Sequence, residues 1–392
     1  MANNTIARPV LTLSAGPVDA YPAVLRGLSS PIFYDFDPWF QGFYQRVNEK
    51  ASVALRSNRP AVILQGEPVL GLEAAAASLI SRRDVVLNLA SGVYGKGFGY
   101  WSARYHKEMV EIEVPYNEAI DPASVKAAFA KRPDIKIVSV VHHDTPSGTI
   151  NPVKEIGRIV ADHDALMIVD AVSSWGGMDI HPEDCHADIF VTGPNKCLGG
   201  APGLTLLYVS DRAWRHMEAN EAAPRASMLS ILDWRDAWRS DKPFPFTPSV
   251  AEINGLDAAL ENYLAEGPEK VWARHALTAR ACRRGIVAMG LALWPAREEI
   301  AADTVTAVKV PAGIEDAALR DAVRRLYGVA FSAGRGQTLG KLIRIGHMGP
   351  VGNPIYAVAA VAELGGALES LGHKADVGAG VEAVLAEINR AA

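Results

Sequence analysis

Cysteine is scarce in this 392-residue chain: Cys185, Cys197 and Cys282 are the three present, and none forms a Cys-x-x-Cys pair. An odd number at wide spacing excludes a disulfide framework and a cysteine zinc site, and fits a reducing compartment. No metal site is expected. A basic excess is missing as well. The formal net charge is −5 and no run of Lys or Arg occurs, so a nucleic-acid partner has no electrostatic footprint here. No apolar run approaches the about 18 residues that a membrane helix needs, so no membrane partner is expected. Residues 1–8 lack an apolar stretch followed by a cleavage site; no signal peptide is read, and the expected location is cytoplasmic. Internal repeats and low-complexity tracts are absent.

What is there describes a globular chain. Hydrophobic residues make up 49% and charged residues 21%, and the length exceeds one ordinary core, so two domains are expected. Residues 9–45, rich in Pro and aromatics, read as an irregular arm that cannot bury its rings alone and packs on a neighbouring subunit. From residue 61 strand and helix alternate. Strands are expected at 61–65, 85–89, 110–114, 136–142, 166–170, 187–192 and 204–209. Helices are expected at 71–81, 94–105, 122–131 and 152–164. This alternation predicts an α/β fold with a mostly parallel seven-stranded sheet covered on both faces. After a stiff link at 243–248 come helices near 249–265 and 267–290. A smaller C-terminal α+β domain then has strands at 305–310, 328–332 and 342–347, and helices at 315–327, 353–371 and 379–390. The expected division is an arm over 1–45, a large domain over 46–260 and a small domain over 261–392.

The stretch around which the chain is organised is Val191-Thr-Gly-Pro-Asn-Lys-Cys-Leu-Gly-Gly200, with Lys196 at its centre. Upstream, Leu166-Met-Ile-Val-Asp170 reads as a buried strand ending in a carboxylate. Strands that finish side by side deliver Asp170 and Lys196 to one edge of a parallel sheet, where open α/β sheets hold their ligands. A lysine there can form a Schiff base with a carbonyl, and an aspartate there can keep a pyridinium nitrogen protonated. That is the protein half of pyridoxal chemistry. The alternative is a solvated loop lysine and an aspartate that only caps a helix. Gly193 and Pro194 before the lysine, with Gly199, Gly200, Pro202 and Gly203 after it, weigh toward the first reading, because a plain surface loop needs no such tight backbone. Cys197 reads as a packing residue.

In chain order, the turn from Gly66 to Glu73, Gly92-Val-Tyr-Gly95, Asp144-Thr-Pro-Ser-Gly148, Val169-Asp-Ala171, Lys196, Thr247-Pro248 and Arg344-Ile-Gly346 resemble the motifs of fold-type I aminotransferases. The likeness is to the class V branch of alanine–glyoxylate and serine–pyruvate aminotransferases, and it spans nearly the whole chain. It implies a homodimer or homotetramer whose active site lies between the two domains and is touched by a second subunit. It implies that Lys196 is the Schiff-base lysine, carrying pyridoxal as an aldimine, and that Asp170 partners the ring nitrogen. By the same resemblance Tyr94 stacks on the pyridine face, Thr145 lies near the 3-oxygen and Arg344 grips the substrate carboxylate. For Tyr94 an ordinary core tyrosine is the competing reading. Lys196, once free, is the natural general base for a 1,3-proton shift. Tyr34, from the aromatic arm, is expected to line the pocket, of its own or of the neighbouring subunit, and Thr247 stands where relatives reach a neighbour's phosphate.

Two departures from the branch bear on substrate. Ordinary members have a Ser- and Gly-rich loop after the first strand, whose amides cradle the cofactor phosphate. Here the loop reads Gln65-Gly-Glu-Pro-Val-Leu-Gly-Leu72. A carboxylate about 4 Å from a phosphate costs on the order of 4 kcal/mol per unit charge at an effective dielectric near 20. Halved for screening, Glu67 still weakens phosphate binding more than about tenfold, while Pro68 removes one N–H donor. A neutral hydroxymethyl group instead finds in Glu67 a good acceptor. The competing reading has Glu67 capping the helix and turned away from the ligand. The second departure, Gly334-Arg-Gly336, adds a cation before Arg344; Arg335 either helps orient a 2-oxo acid or is a loop charge. With His142-His-Asp-Thr-Pro-Ser-Gly148 and Ser332-Ala-Gly-Arg-Gly336, these features match members that take the unphosphorylated vitamers as substrates. The implied reaction is pyridoxamine + pyruvate ⇌ pyridoxal + L-alanine, a step in breaking down free vitamin B6, with no tightly bound cofactor. The alternative is a conventional enzyme that holds pyridoxal 5′-phosphate.

Overall fold

The computed structural model describes residues 8–239, 241–242 and 244–391. Residues 1–7 of the 1–8 stretch on which the signal-peptide reading rests, and Pro243 of the stiff link, lie outside them. The chain opens with β1 (Leu11–Leu13), α1 (Pro22–Leu28) and α2 (Pro38–Ala54), followed by β2 (Val62–Gln65), α3 (Pro68–Leu79), β3 (Val85–Ala90) and α4 (Val93–Ser102). Next come β4 (Glu108–Glu113), α5 (Pro122–Lys131), β5 (Ile135–Val141), the short pair β6 (His143–Asp144) and β7 (Thr149–Ile150), and α6 (Val153–Ala161). Strands β8 (Leu166–Asp170), β9 (Ile189–Thr192) and β10 (Leu204–Val209) complete the first sheet before α7 (Asp211–Ala219), α8 (Val250–Glu266) and α9 (Pro268–Ala288). The last part runs β11 (Val305–Lys309), α10 (Asp316–Tyr327), β12 (Val329–Ala333), β13 (Leu342–Gly346), α11 (Pro354–Ser370) and α12 (Val377–Ala391).

The larger sheet has seven strands in the order β2-β10-β9-β8-β5-β3-β4. Strands β3, β4, β5, β8 and β9 pair in parallel, and β10 runs antiparallel to both β2 and β9. Every residue of β3, β8, β9 and β10 is buried, as a sheet covered on both faces requires. The edge strand β4 is protected differently: Glu111 and Glu113 stand on it, both held by Lys96, and charge on an edge discourages further strand pairing.

The smaller sheet is β1-β12-β13-β11. Here the expectation of an irregular arm over residues 9–45 is corrected. Leu11–Leu13 pairs in parallel with Val329–Phe331 as an edge strand. The aromatic run enters a helix, because Asp37 caps α2 by accepting from Trp39 N at 2.8 Å and Pro38 fills its first turn. Phe40 and Tyr44, one turn apart, are buried against Phe244. Helix α3 starts at Pro68, three residues before the expected position.

Two main cores result. One surrounds the larger sheet, and the other gathers Leu13 with apolar residues of α9 to α12 and strands β11 to β13. Between them Ala15, Cys197, Val305 and Met348 form a small buried cluster.

Candidate active site

The C-terminal ends of the parallel strands collect the chemistry. Asp170 closes β8 and pairs in register with Val191 of β9, and Lys196 follows five residues after Val191 in the turn beyond β9. Asp170 is buried, and its Oδ1 accepts from Val172 N at 3.0 Å. Burial pushes its pKa up to about 7; the Val172 amide and Lys196 oppose that, while Asp144 and Glu67 add to it. A cation placed beside the carboxyl restores its ionised form.

That shift has a consequence for stability. The unfolded carboxyl titrates near 3.9, so between about pH 4 and about 7 the folded protein keeps a proton that the unfolded chain has released. Stability of the ligand-free protein is therefore expected to fall as pH rises through this window. Asp144, raised by burial to about 6, acts in the same direction. Asp170→Asn should flatten the fall when urea midpoints are measured against pH; an unaltered slope removes Asp170 as its cause.

Lys196 is 8% exposed, and its Nζ donates to the Ala15 carbonyl at 3.0 Å. Burial lowers its pKa, Arg344 lowers it further, and Glu67, Cys197 and Asp170 pull the other way. A lysine so placed reaches the neutral, nucleophilic amine more easily than one in water. His142 and His143, next to the site, are held down to about 3 by burial and are neutral near pH 7.

Tyr94 is fixed through its backbone. Asp144, on β6, turns its Oδ2 to Tyr94 N at 2.7 Å and Gly95 N at 3.2 Å, so an anion from another strand sits at the first turn of α4. Gly92 makes room for it, since a Cβ there would lie 2.2 Å from the Asp144 carboxyl carbon. The Tyr94 hydroxyl accepts from Arg335 Nη1 at 3.2 Å, and the guanidinium carbon stands 5.6 Å from the ring centroid. Thr145 is 1% exposed in the β6–β7 turn. Arg344 is central in β13, paired in register with Ala307 and Ser332. Its Nε donates to Ala333 O at 2.8 Å, and its charge lowers the pKa of Lys196.

The turn after β2 unites two readings offered as alternatives. Glu67 caps α3, its Oε2 accepting from Val69 N at 3.0 Å. It is nevertheless exposed and close enough to Lys196 and Asp170 to shift both. Around it several amides are engaged: Gly66 N donates to Gly203 O at 2.9 Å, Pro68 has no N–H, and Leu70 N donates to Glu67 O at 2.8 Å. An anion approaching this helix start meets the Glu67 carboxylate, no N–H at Pro68, and amides at 66, 69 and 70 that are already bonded.

Lys196, Asp170, Tyr94, Glu67, Arg335 and Arg344 are thus brought into one neighbourhood. Tyr34 is not, within a single chain: it is 69% exposed and its ring meets Phe36. Thr247 is exposed and holds Gln65 Nε2 through its carbonyl at 2.8 Å. The sequence reading missed the Ser14–Pro17 turn against Lys196 and the capping role of Asp144. Ser14-Ala-Gly-Pro17 carried a turn signal, but nothing local said which element it would meet. No group of His, Cys, Asp and Glu suited to a metal occurs among the described residues. Nor, among them, is any helix long and apolar enough to cross a membrane.

Comparison with known proteins identifies the family. The family model for aminotransferase class-V matches residues 101–348. A pyridoxamine–pyruvate transaminase of Mesorhizobium japonicum is 65% identical over 98% of this chain and 98% of its own. The crystal structure of pyridoxamine-pyruvate aminotransferase from Mesorhizobium loti superposes with a TM-score of 0.97 at 64% identity, covering 98% of each chain. An alanine–glyoxylate aminotransferase of Drosophila melanogaster is 30% identical over 86% of each.

Proposed function

The chain belongs to the class-V aminotransferases, and from that premise we propose that it transfers an amino group from pyridoxamine to pyruvate, giving pyridoxal and L-alanine. The observation that carries the choice of vitamer is the turn at 66–70, where Glu67 occupies the start of α3 and the neighbouring amides are bonded internally. The Glu67 carboxylate and the missing N–H at Pro68 favour the ring portion of a B6 compound without its phosphate. The vitamers are therefore read as substrates that come and go, with no tightly bound cofactor. The ring, when bound, supplies an electron sink.

The protein's own groups do the rest. Asp170 holds a proton on the ring nitrogen, Tyr94 covers the ring face, Thr145 serves the 3-oxygen and Glu67 accepts from the 5′ hydroxyl. Lys196 Nζ is the nucleophile toward the carbonyl carbon and, when free, moves the proton between the two carbons of the exchange. Neutral His142 and His143 do not compete for that proton. Arg344 receives the pyruvate or alanine carboxylate, with Arg335 as a second cation.

The reading extends to a role in degrading free vitamin B6, a cytoplasmic location and the division into 1–45, 46–260 and 261–392. It also extends to a homo-oligomer, dimer or tetramer. The exposed Ile32, Tyr34, Phe36 and Trp39 favour such an assembly, because a patch of this kind on one chain calls for cover, and Tyr34 would then line a neighbour's cleft. The deciding test is competition between pyridoxamine and its phosphate with pyruvate as acceptor. Preference for the free vitamer supports the proposal. Preference for the phosphate, or one phosphate per site retained through dialysis, returns the chain to ordinary cofactor-bound transamination. Glu67→Gly should raise kcat/KM for pyridoxamine phosphate at least about tenfold by removing a charge opposed to it; an unchanged preference puts Glu67 outside the pocket.

A further inference from the structure

Lys196 has its hydrogen-bond acceptor in a segment that belongs to the other sheet. Ala15 O receives Lys196 Nζ at 3.0 Å, and Ala15 N donates to the Ser332 hydroxyl at 2.9 Å. Ser332 is on β12 and pairs in register with Arg344 of β13. The segment just before Ala15, Leu11–Leu13, is itself a strand of that smaller sheet. Two glycines permit the approach. Gly16 has φ +116°, and a Cβ there would fall 1.9 Å from Lys196 Nζ. At Gly346, two residues past Arg344, a Cβ would fall 1.9 Å from Ser14 O. The turn braces itself, with the Ser14 hydroxyl donating to Pro17 O.

We propose that the Ser14–Pro17 turn, fastened to the smaller sheet by Ser332, is a positioning element that holds the free amine of Lys196 on the Ala15 carbonyl. An amine that gives one N–H to this carbonyl keeps a fixed direction between rounds instead of sampling rotamers. The device suits an enzyme whose carbonyl partner leaves in each cycle, because the lysine then stands free each time. It also joins Lys196 to the strand pair that carries Arg344, so the carboxylate subsite and the amine share one support. Ser332 and Gly16 act through the Ala15 backbone and are positioning residues. The inference rests on the assignment of Lys196 made above.

The test reads the ionisation of Lys196 in ligand-free protein. Trace labelling with acetic anhydride across a pH series, followed by peptide mass spectrometry, yields the midpoint for Lys196 alone. The other groups that set that midpoint are Arg344, which lowers it, and Glu67, Cys197 and Asp170, which raise it; all are retained in the variants. A carbonyl acceptor favours the ammonium over the amine. Ser332→Ala, which releases Ala15, is therefore expected to move the midpoint down by about one unit. Ser332→Thr should return it to the wild-type value, and Gly16→Ala, which displaces Nζ from the carbonyl, should lower it as Ser332→Ala does. A purely structural role for Ser332 would alter Tm and leave the midpoint in place. A midpoint that does not move in Ser332→Ala overturns the proposal, and that variant decides alone if Gly16→Ala does not fold. Failure of the role assigned to Lys196 would show elsewhere, as turnover retained by Lys196→Ala, with the labelling shift in Ser332→Ala unaffected.

Discussion

Lys196→Ala is expected to cut steady-state transamination by at least about 10⁴-fold while pyridoxamine still binds. In the proposed mechanism the substitution removes the nucleophile and the proton carrier together, and the neighbouring histidines and thiol are not suited to take over. His142 and His143 are neutral and buried, and the thiol of Cys197 is pushed up to about 12 by burial, so it is not a nucleophile near pH 7. The ring contacts offered by Asp170, Tyr94 and Glu67 remain, so equilibrium binding followed by pyridoxamine fluorescence should change little. Retained steady-state turnover would remove Lys196 from its role. Lost binding together with lost turnover would point to collapse of the Lys196–Gly200 turn.

Arg344→Ala is expected to lower kcat/KM for pyruvate and L-alanine by on the order of 10²–10³-fold, with a far smaller effect on pyridoxamine. Hydrogen bonds to charged groups contribute about 1.5–3 kcal/mol each, and a guanidinium meets a carboxylate with two of them. Arg344 is preorganised for this: β13 is flanked by β11 and β12, and the Nε bond to Ala333 O fixes the plane of the group. Arg344→Lys should recover only part of the loss, since an ammonium cannot offer two parallel donors. Arg335 cannot simply replace it, being engaged with Tyr94. An equal loss for all four substrates would indicate a disturbed smaller sheet in place of a lost carboxylate contact.

These expectations draw on different depths of the molecule. The order of strands and helices, the strand-end position of Asp170, the glycine-rich turn around Lys196 and the altered turn at Glu67 were all legible in the sequence. Each depends on contacts within a few residues. Period-two and buried apolar runs make strands, Pro and an acid begin a helix, and Glu67 reaches Val69 only two positions away. The sequence alone therefore determined the fold class and the class of enzyme, and it placed a carboxylate, Glu67, at the start of α3.

Tertiary structure decided the rest. It put residues 11–13 into the smaller sheet, where sequence pattern suggested a loose arm, and turned β10 against the direction of its neighbours. It brought Arg335 to Tyr94 across 241 residues and Ala15 to Lys196 across 181. Such pairings leave no periodic trace, because a short strand or turn has many partners it could satisfy locally. The choice among them is made by which packing buries the most surface and leaves the fewest backbone groups unpaired, a property of the whole chain rather than of any stretch.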